Sequence, residues 1–204
     1  MIRVFKLLFI SIFISTVAAA QDFDGTLFHQ SACWLGLDFS EAKMVGSSKF
    51  GDAGRVKDYY MKEWNNVVVF EMRKYNFTKH YKIKDVAYRK EITDSVNVKI
   101  DATDLFTEES TEEFTPSKLQ EIVNKYDLSK VDKKYAFSYI IQEFNGKANT
   151  ATIWITVIDV ETKQIVKYSR MQEKARGGGF RNFWLGAVFE TLLQSRKMVA
   201  KEWK

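Results

Sequence analysis

The chain has 204 residues, 46% of them hydrophobic and 28% charged, a balance that suits a folded core and excludes a disordered or collagen-like polymer. A single Cys excludes an internal disulfide and a Cys-based zinc cluster, and two His leave little for a histidine-rich metal centre, so no metal and no cofactor is expected. The net charge of +5 depends partly on the amino terminus.

Residues 1–20 read as a secretory signal peptide. Arg3 and Lys6 are followed by eleven apolar-run residues from Leu7 to Val17, then by Ala18, Ala19 and Ala20 before the polar Gln21 and Asp22. The run falls short of the roughly 20 residues that cross a bilayer core. Cleavage near Ala20 removes two cations and no acid, so the charge falls to +3 and a nucleic-acid partner is discounted. No Cys follows the junction to accept a lipid, and no later segment is a long uncharged apolar run. The expected product is a periplasmic or secreted single α+β domain over residues 21–204, without a transmembrane segment.

The first mature element is a strand over residues 32–39. Cys33, Leu35, Leu37 and Phe39 alternate with Trp34, Gly36 and Asp38, which points the thiol inward as a small hydrophobe. After a loop punctuated by Gly46, Gly51 and Gly54, the spacing of Val56, Tyr60, Trp64 and Val67 predicts a helix, although residues 67–70 alone suit a strand. Residues 73–90 form a basic run with Tyr75, Phe77, Tyr81 and Tyr88 interleaved. Val96, Val98 and Ile100 alternate with polar neighbours and predict a short strand, and residues 101–113 form an acidic run without Lys or Arg.

Thr115 and Pro116 read as an N-cap and first helical residue, with Leu119, Ile122, Val123 and Tyr126 as the buried stripe. Residues 135–144, 150–160 and 164–171 then alternate as an antiparallel meander, turning at Asn145-Gly146 and through residues 161–163. After Gly177, Gly178 and Gly179, a closing helix over residues 180–201 presents Phe183, Trp184, Ala187, Val188, Thr191 and Leu192 to the sheet. The sum is an α+β fold, an antiparallel or mixed sheet of about four strands with three helices packed against it.

Two surfaces are candidates for binding. Arg176, Gly177, Gly178, Gly179 and Arg181 lie between a strand and a helix start, where free amides, the helix dipole and two guanidinium forks can face an anion. The spacing of a phosphate loop or dinucleotide fold is absent, and the glycines equally serve a chain leaving a sheet. The second is the aromatic-basic stretch of Tyr75, Lys79, Tyr81, Lys82 and Tyr88, suited to a glycan, an acidic partner or the chain's own acidic run. That run lacks the ligand spacing of a calcium loop. His29 and His80 flank no nucleophile elbow, which disfavours a hydrolase. The alternative is an envelope hydrolase with a spatially assembled carboxylate site. A third reading is self-association through the opposite charge runs.

Residues 153–163 and 177–184, with residues 34–39 and the helix over 119–127, resemble an uncharacterised exported bacterial family. More distantly, a strand ending in Asp159-x-x-Thr162, a returning strand, a glycine turn and a terminal helix resemble the TolB amino-terminal and curli secretion-channel group, which includes lipoprotein activators of penicillin-binding proteins. That resemblance implies a mixed sheet used for protein contacts in the envelope, without catalysis, so a protein or glycan partner is expected.

Overall fold

The computed structural model describes residues 31–202. The expected leader and His29 lie outside the described residues. The chain forms strands β1 (Ser31–Asp38), β2 (Lys43–Val45), β3 (Asp85–Tyr88), β4 (Phe106–Thr107), β5 (Tyr135–Asn145), β6 (Thr150–Asp159) and β7 (Ile165–Lys174). Its helices are α1 (Ala53–Arg55), α2 (Met61–Phe70), α3 (Phe77–Tyr81), α4 (Glu91–Asn97), α5 (Pro116–Asn124) and α6 (Gly179–Glu202), with a π-helical stretch, Val56–Tyr60, joining α1 to α2.

The expected antiparallel or mixed sheet of about four strands with three helices is corrected. All seven strands form one sheet with a parallel core: β1 runs parallel to β3 and β5, and β2 runs parallel to β4 and β5. Antiparallel pairing is confined to the β5–β6–β7 meander. The added strands β2, β3 and β4 hold three, four and two residues, too few to display a period of two, and their partners lie far away in sequence.

The strand expected around Val96, Val98 and Ile100 is also corrected. Residues 91–97 are helix α4, because Ile92 and Val96, four apart, share a buried face, while Val98 lies beyond its end and is exposed. Residues 67–70 complete α2. The cap on α5 is as the sequence indicates: Thr115 Oγ1 accepts from Lys118 N–H at 3.1 Å, with Pro116 at the first position.

Both faces of the sheet are covered. On one, α2, α3 and α6 bury Trp64, Phe77 and Trp184 against Phe137, Tyr139 and Ile153; on the other, α4 and α5 bury Val96, Leu119 and Ile122 against Ala136, Ile140 and Trp154. Double coverage explains why all eleven residues of β5 are buried.

A bulge in β1 divides a set that the sequence pattern places on one side. Gly36 has φ 110°, and the pairing with β5 shifts between Trp34 and Leu37. Cys33 and Leu35 therefore face α4 and α5, whereas Leu37 and Phe39 face α2 and α6. One inserted residue reverses the alternation.

Candidate functional site

The glycine turn sits where β7 ends and α6 begins. Gly177 has φ 140° and Gly179 has φ 74°, a backbone that side chains with a Cβ rarely adopt, and a Cβ on Gly177 would lie 2.6 Å from Asn182 O. Arg176 N–H donates to Phe183 O at 3.1 Å, which folds the turn back onto the first turn of α6. One helical turn further, Gly186 packs directly under the strand end: a Cβ there would be 1.8 Å from Arg176 O. Residues 176–179 are exposed, and Arg181 is half-buried.

A shallow cleft of about 420 Å³ adjoins the turn, with Glu71, Lys74, Arg176, Gly177, Arg181, Asn182, Phe189 and Glu190 on its walls. Glu71 and Lys74 join from the segment after α2, so their convergence on the turn has no signature in the local sequence, whereas Glu190 lies further along α6 itself. Each cation has an acid nearby: Arg176 to Glu190 at 3.6 Å, Arg181 to Glu63 at 3.9 Å and Lys74 to Glu71 at 4.0 Å. Pairs this long, each with a solvent-facing cation, are weak and exchangeable. Burial, then the neighbouring Glu190, holds the Glu173 carboxyl above the usual range, with Arg176 opposing the shift. Arg181 also fixes α6 to α2 through its carbonyl, which accepts from Trp64 Nε1–H at 3.1 Å.

The aromatic-basic stretch does not form one exposed surface. Tyr75 and Tyr81 are turned into the core, whereas Lys79 and Lys82 are exposed and Tyr88 is half-buried. Tyr75 O–H donates to Leu185 O at 3.2 Å. Tyr81 bonds to Tyr139 Oη and, at 2.7 Å, to Ser195 Oγ, which ties α3 to β5 and α6; burial pushes its phenol up to about 12. The interleaving of aromatics and cations is the two-sided pattern of a segment packed on a core. His80 is half-buried, and burial, Arg196 and Lys79 together lower its pKa.

The acidic run is bound to the chain's own donors rather than to the basic stretch. Glu108 accepts from Ser47 Oγ at 2.6 Å and from Lys147 at 2.9 Å, Glu113 meets Arg170 at 3.4 Å, and Lys43 reaches Asp104 O. Behind it, the buried Gln142 and Glu143 of β5 hold residues 111–114: Thr111 N–H donates to Glu143 Oε2 at 3.0 Å, and Gln142 Nε2 donates to Glu112 O at 3.0 Å. Among the described residues, no group of three or more His, Cys, Asp or Glu is placed to hold a metal ion. Nor is any helix among them long and apolar enough to cross a membrane.

Another buried polar group lies at the end of β1. The bulge sends Asp38 towards α5, where it accepts from Tyr126 O–H at 2.6 Å and from Ser40 N–H at 2.6 Å. Burial raises its pKa, against the lowering effect of those bonds and of Lys125.

No family model matches the chain, and no curated relative does. Among solved structures it is distantly similar to the LpoB C-terminal domain from Salmonella enterica, at 12% identity and a TM-score of 0.33 over 71% of this chain and 82% of that one. The LpoB C-terminal domain from Escherichia coli matches at 12% identity and 0.31, over 70% and 80%. A PelC dodecamer from Paraburkholderia phytofirmans, a single-substitution variant, matches at 10% identity and 0.35, over 82% and 86%.

Proposed function

We propose that the chain is an exported, non-enzymatic protein of the cell envelope that holds a protein or glycan partner by an anionic group at the Arg176 to Arg181 turn. The observation that carries this reading is the turn itself: an exposed hairpin of backbone with Lys74, Arg176 and Arg181 around it, each only loosely paired. A carboxylate or phosphate on the partner would replace Glu190 and Glu63 as the acceptor for the two guanidinium forks. The tripartite residues 1–20 support export, with removal near Ala20 leaving the mature domain in a periplasm or outside the cell.

The test is crosslinked capture from whole envelopes by the mature chain and by an Arg176→Ala/Arg181→Ala variant. The expected result is loss of the partner band from the variant with an unchanged melting temperature. Equal capture by both removes the turn as the binding element. Mass spectrometry of the native product tests export separately: an intact Met1 terminus in cytosolic extract would overturn it.

A further inference from the structure

We propose that the cations of α3, of its link to β3 and of the last turns of α6 form an electrostatic landing surface for an anionic lipid bilayer. The aromatic half of the stretch over residues 75–88 is turned into the core, which leaves its cations as a separate feature of the outside. Lys79, Lys82 and Lys84 are exposed, the last two flanking the buried Ile83. The Tyr81 Oη to Ser195 Oγ bond, at 2.7 Å, fastens α3 to α6 and brings the exposed Arg196 to the same place. Burial, then Arg196 and then Lys79, lowers the pKa of His80, so this histidine sits in the positive field of cations from both helices. The sequence supplies little counter-charge here: residues 72–84 and residues 191–201 contain no acid, and Asp85 follows Lys84 alone. Among the described residues none of Lys79, Lys82, Lys84 and Arg196 has a carboxylate within ion-pair distance, in contrast to Lys74 on Glu71, Arg176 on Glu190 and Arg181 on Glu63.

The side chains that this surface lacks select its occupant. A glycan or a single-stranded nucleic acid needs an exposed ring to stack on, and Tyr75, Phe77 and Tyr81 are buried while Tyr88 is half-buried. One fixed carboxylate or phosphate is best held by guanidinium forks, whereas three of these four cations are Lys, compact point charges on flexible stems. Such a set asks only for dense negative charge, which an anionic bilayer supplies, and each Lys or Arg near it strengthens adsorption by about fivefold. Among the described residues no large apolar side chain projects from α3 or from the last turns of α6, so the contact is adsorption that salt reverses and not insertion. This inference does not rest on the Arg176 to Arg181 turn, which lies at the other end of α6.

The test is co-sedimentation of the mature chain with vesicles of phosphatidylcholine, alone or mixed with phosphatidylglycerol. The expected result is binding to the mixed vesicles only, lost as salt rises, weakened about fivefold by each of Lys79→Gln and Lys84→Gln, and unchanged in Arg176→Ala/Arg181→Ala. His80 reports which face docks. In a His29→Gln background it is the only histidine, and proton NMR with phosphatidylglycerol bicelles is expected to show its pKa rise as lipid phosphates offset Arg196 and Lys79. No sedimentation with the mixed vesicles overturns the proposal, and capture by a soluble acidic polysaccharide in its place reassigns the patch to that polymer. Binding that survives both lysine changes but fails in the double arginine variant moves the lipid contact to the turn and overturns the proposal too, as does an unmoved His80 in the bound chain.

Discussion

The carboxamide of Asn65 clasps the backbone of Leu37: Oδ1 accepts Leu37 N–H at 2.6 Å, and Nδ2 donates to Leu37 O at 3.0 Å. Beyond Trp34, β1 has outrun β3 and has no strand on that side among the described residues. Side chains from α2 and α4 take the place of one. Thr93 Oγ1 donates to Leu35 O at 2.8 Å, Asn97 Nδ2 donates to Leu37 O at 3.0 Å, and Asn97 Oδ1 accepts Phe39 N–H at 2.7 Å. The bulge at Gly36 brings the helices this close, since a Cβ there would lie 2.1 Å from Thr93 Oγ1.

Asn65→Leu should therefore destabilise the chain despite keeping a similar size. It orphans the buried Leu37 N–H, at a cost of about 1–3 kcal/mol, while Asn97 still serves Leu37 O. Urea denaturation is the measurement, and a change below about 0.5 kcal/mol would mean that the bulged strand is not held by this amide.

The contrast between Gly186 and Gly178 gives a second expectation. Gly186→Ala forces a methyl into Arg176 O and must lift α6 from the end of β7, with a loss of about 3 kcal/mol or failure to fold. Gly178→Ala meets nothing within 4 Å and should stay within about 0.5 kcal/mol of the parent. Thermal melts of the two variants separate a turn glycine needed for close packing from one that is dispensable.

The sequence pattern reaches elements whose signal is local, and stops where neighbours are remote. The Thr115–Pro116 cap, the meander turns and the stripe through Trp184, Val188 and Leu192 are each decided within a few residues, and each forms. β3 and α4 are different. Four residues at Asp85–Tyr88 become a strand because β1 offers a parallel edge, and Val96 joins a helix because Thr93 and Asn97 find the β1 backbone. The site divides in the same way. Arg176 and Arg181 are visible in the glycine turn, but Glu71 and Lys74 arrive from a part of the chain about a hundred residues earlier. Tyr75 and Tyr81, spaced like a binding surface, are claimed by Leu185 O and by Ser195 on α6.

Asp38 sets a pH dependence of defined sign. Burial raises its folded-state pKa above the 3.8 of the free side chain, so the native state keeps a proton that the unfolded chain releases. Its effect on stability is absent below about pH 3.8 and becomes a growing penalty as pH rises towards the folded-state value. Asp38→Asn removes that penalty: its Oδ1 still accepts from Ser40 N–H, and its Nδ2 can donate to the Tyr126 oxygen while that hydroxyl turns to Ser138. Unfolding curves across this range should show the variant gaining on the parent with rising pH. A constant difference would mean that Asp38 is ionised throughout. Glu108 acts in the opposite direction. Held down to about 2, first by Ser47 and then by Lys147, it supports the fold above pH 4.5 and loses that role as pH falls towards 2, an exposed contribution that salt should weaken.

Cys33 provides a check on the core that does not depend on any mutation. Its side chain faces Leu35, Ile92 and Ala136, and burial, moderated by Arg89, pushes the thiol up to about 12. The thiolate is the reactive form, so at neutral pH the folded chain offers an aromatic disulfide reagent neither access nor a nucleophile. Labelling should proceed only at the rate of opening, reach one thiol per chain in denaturant, and slow in proportion to any substitution that slows unfolding. Immediate stoichiometric labelling of the native chain would place Cys33 at the surface, which is incompatible with α4 and α5 covering that face of β1.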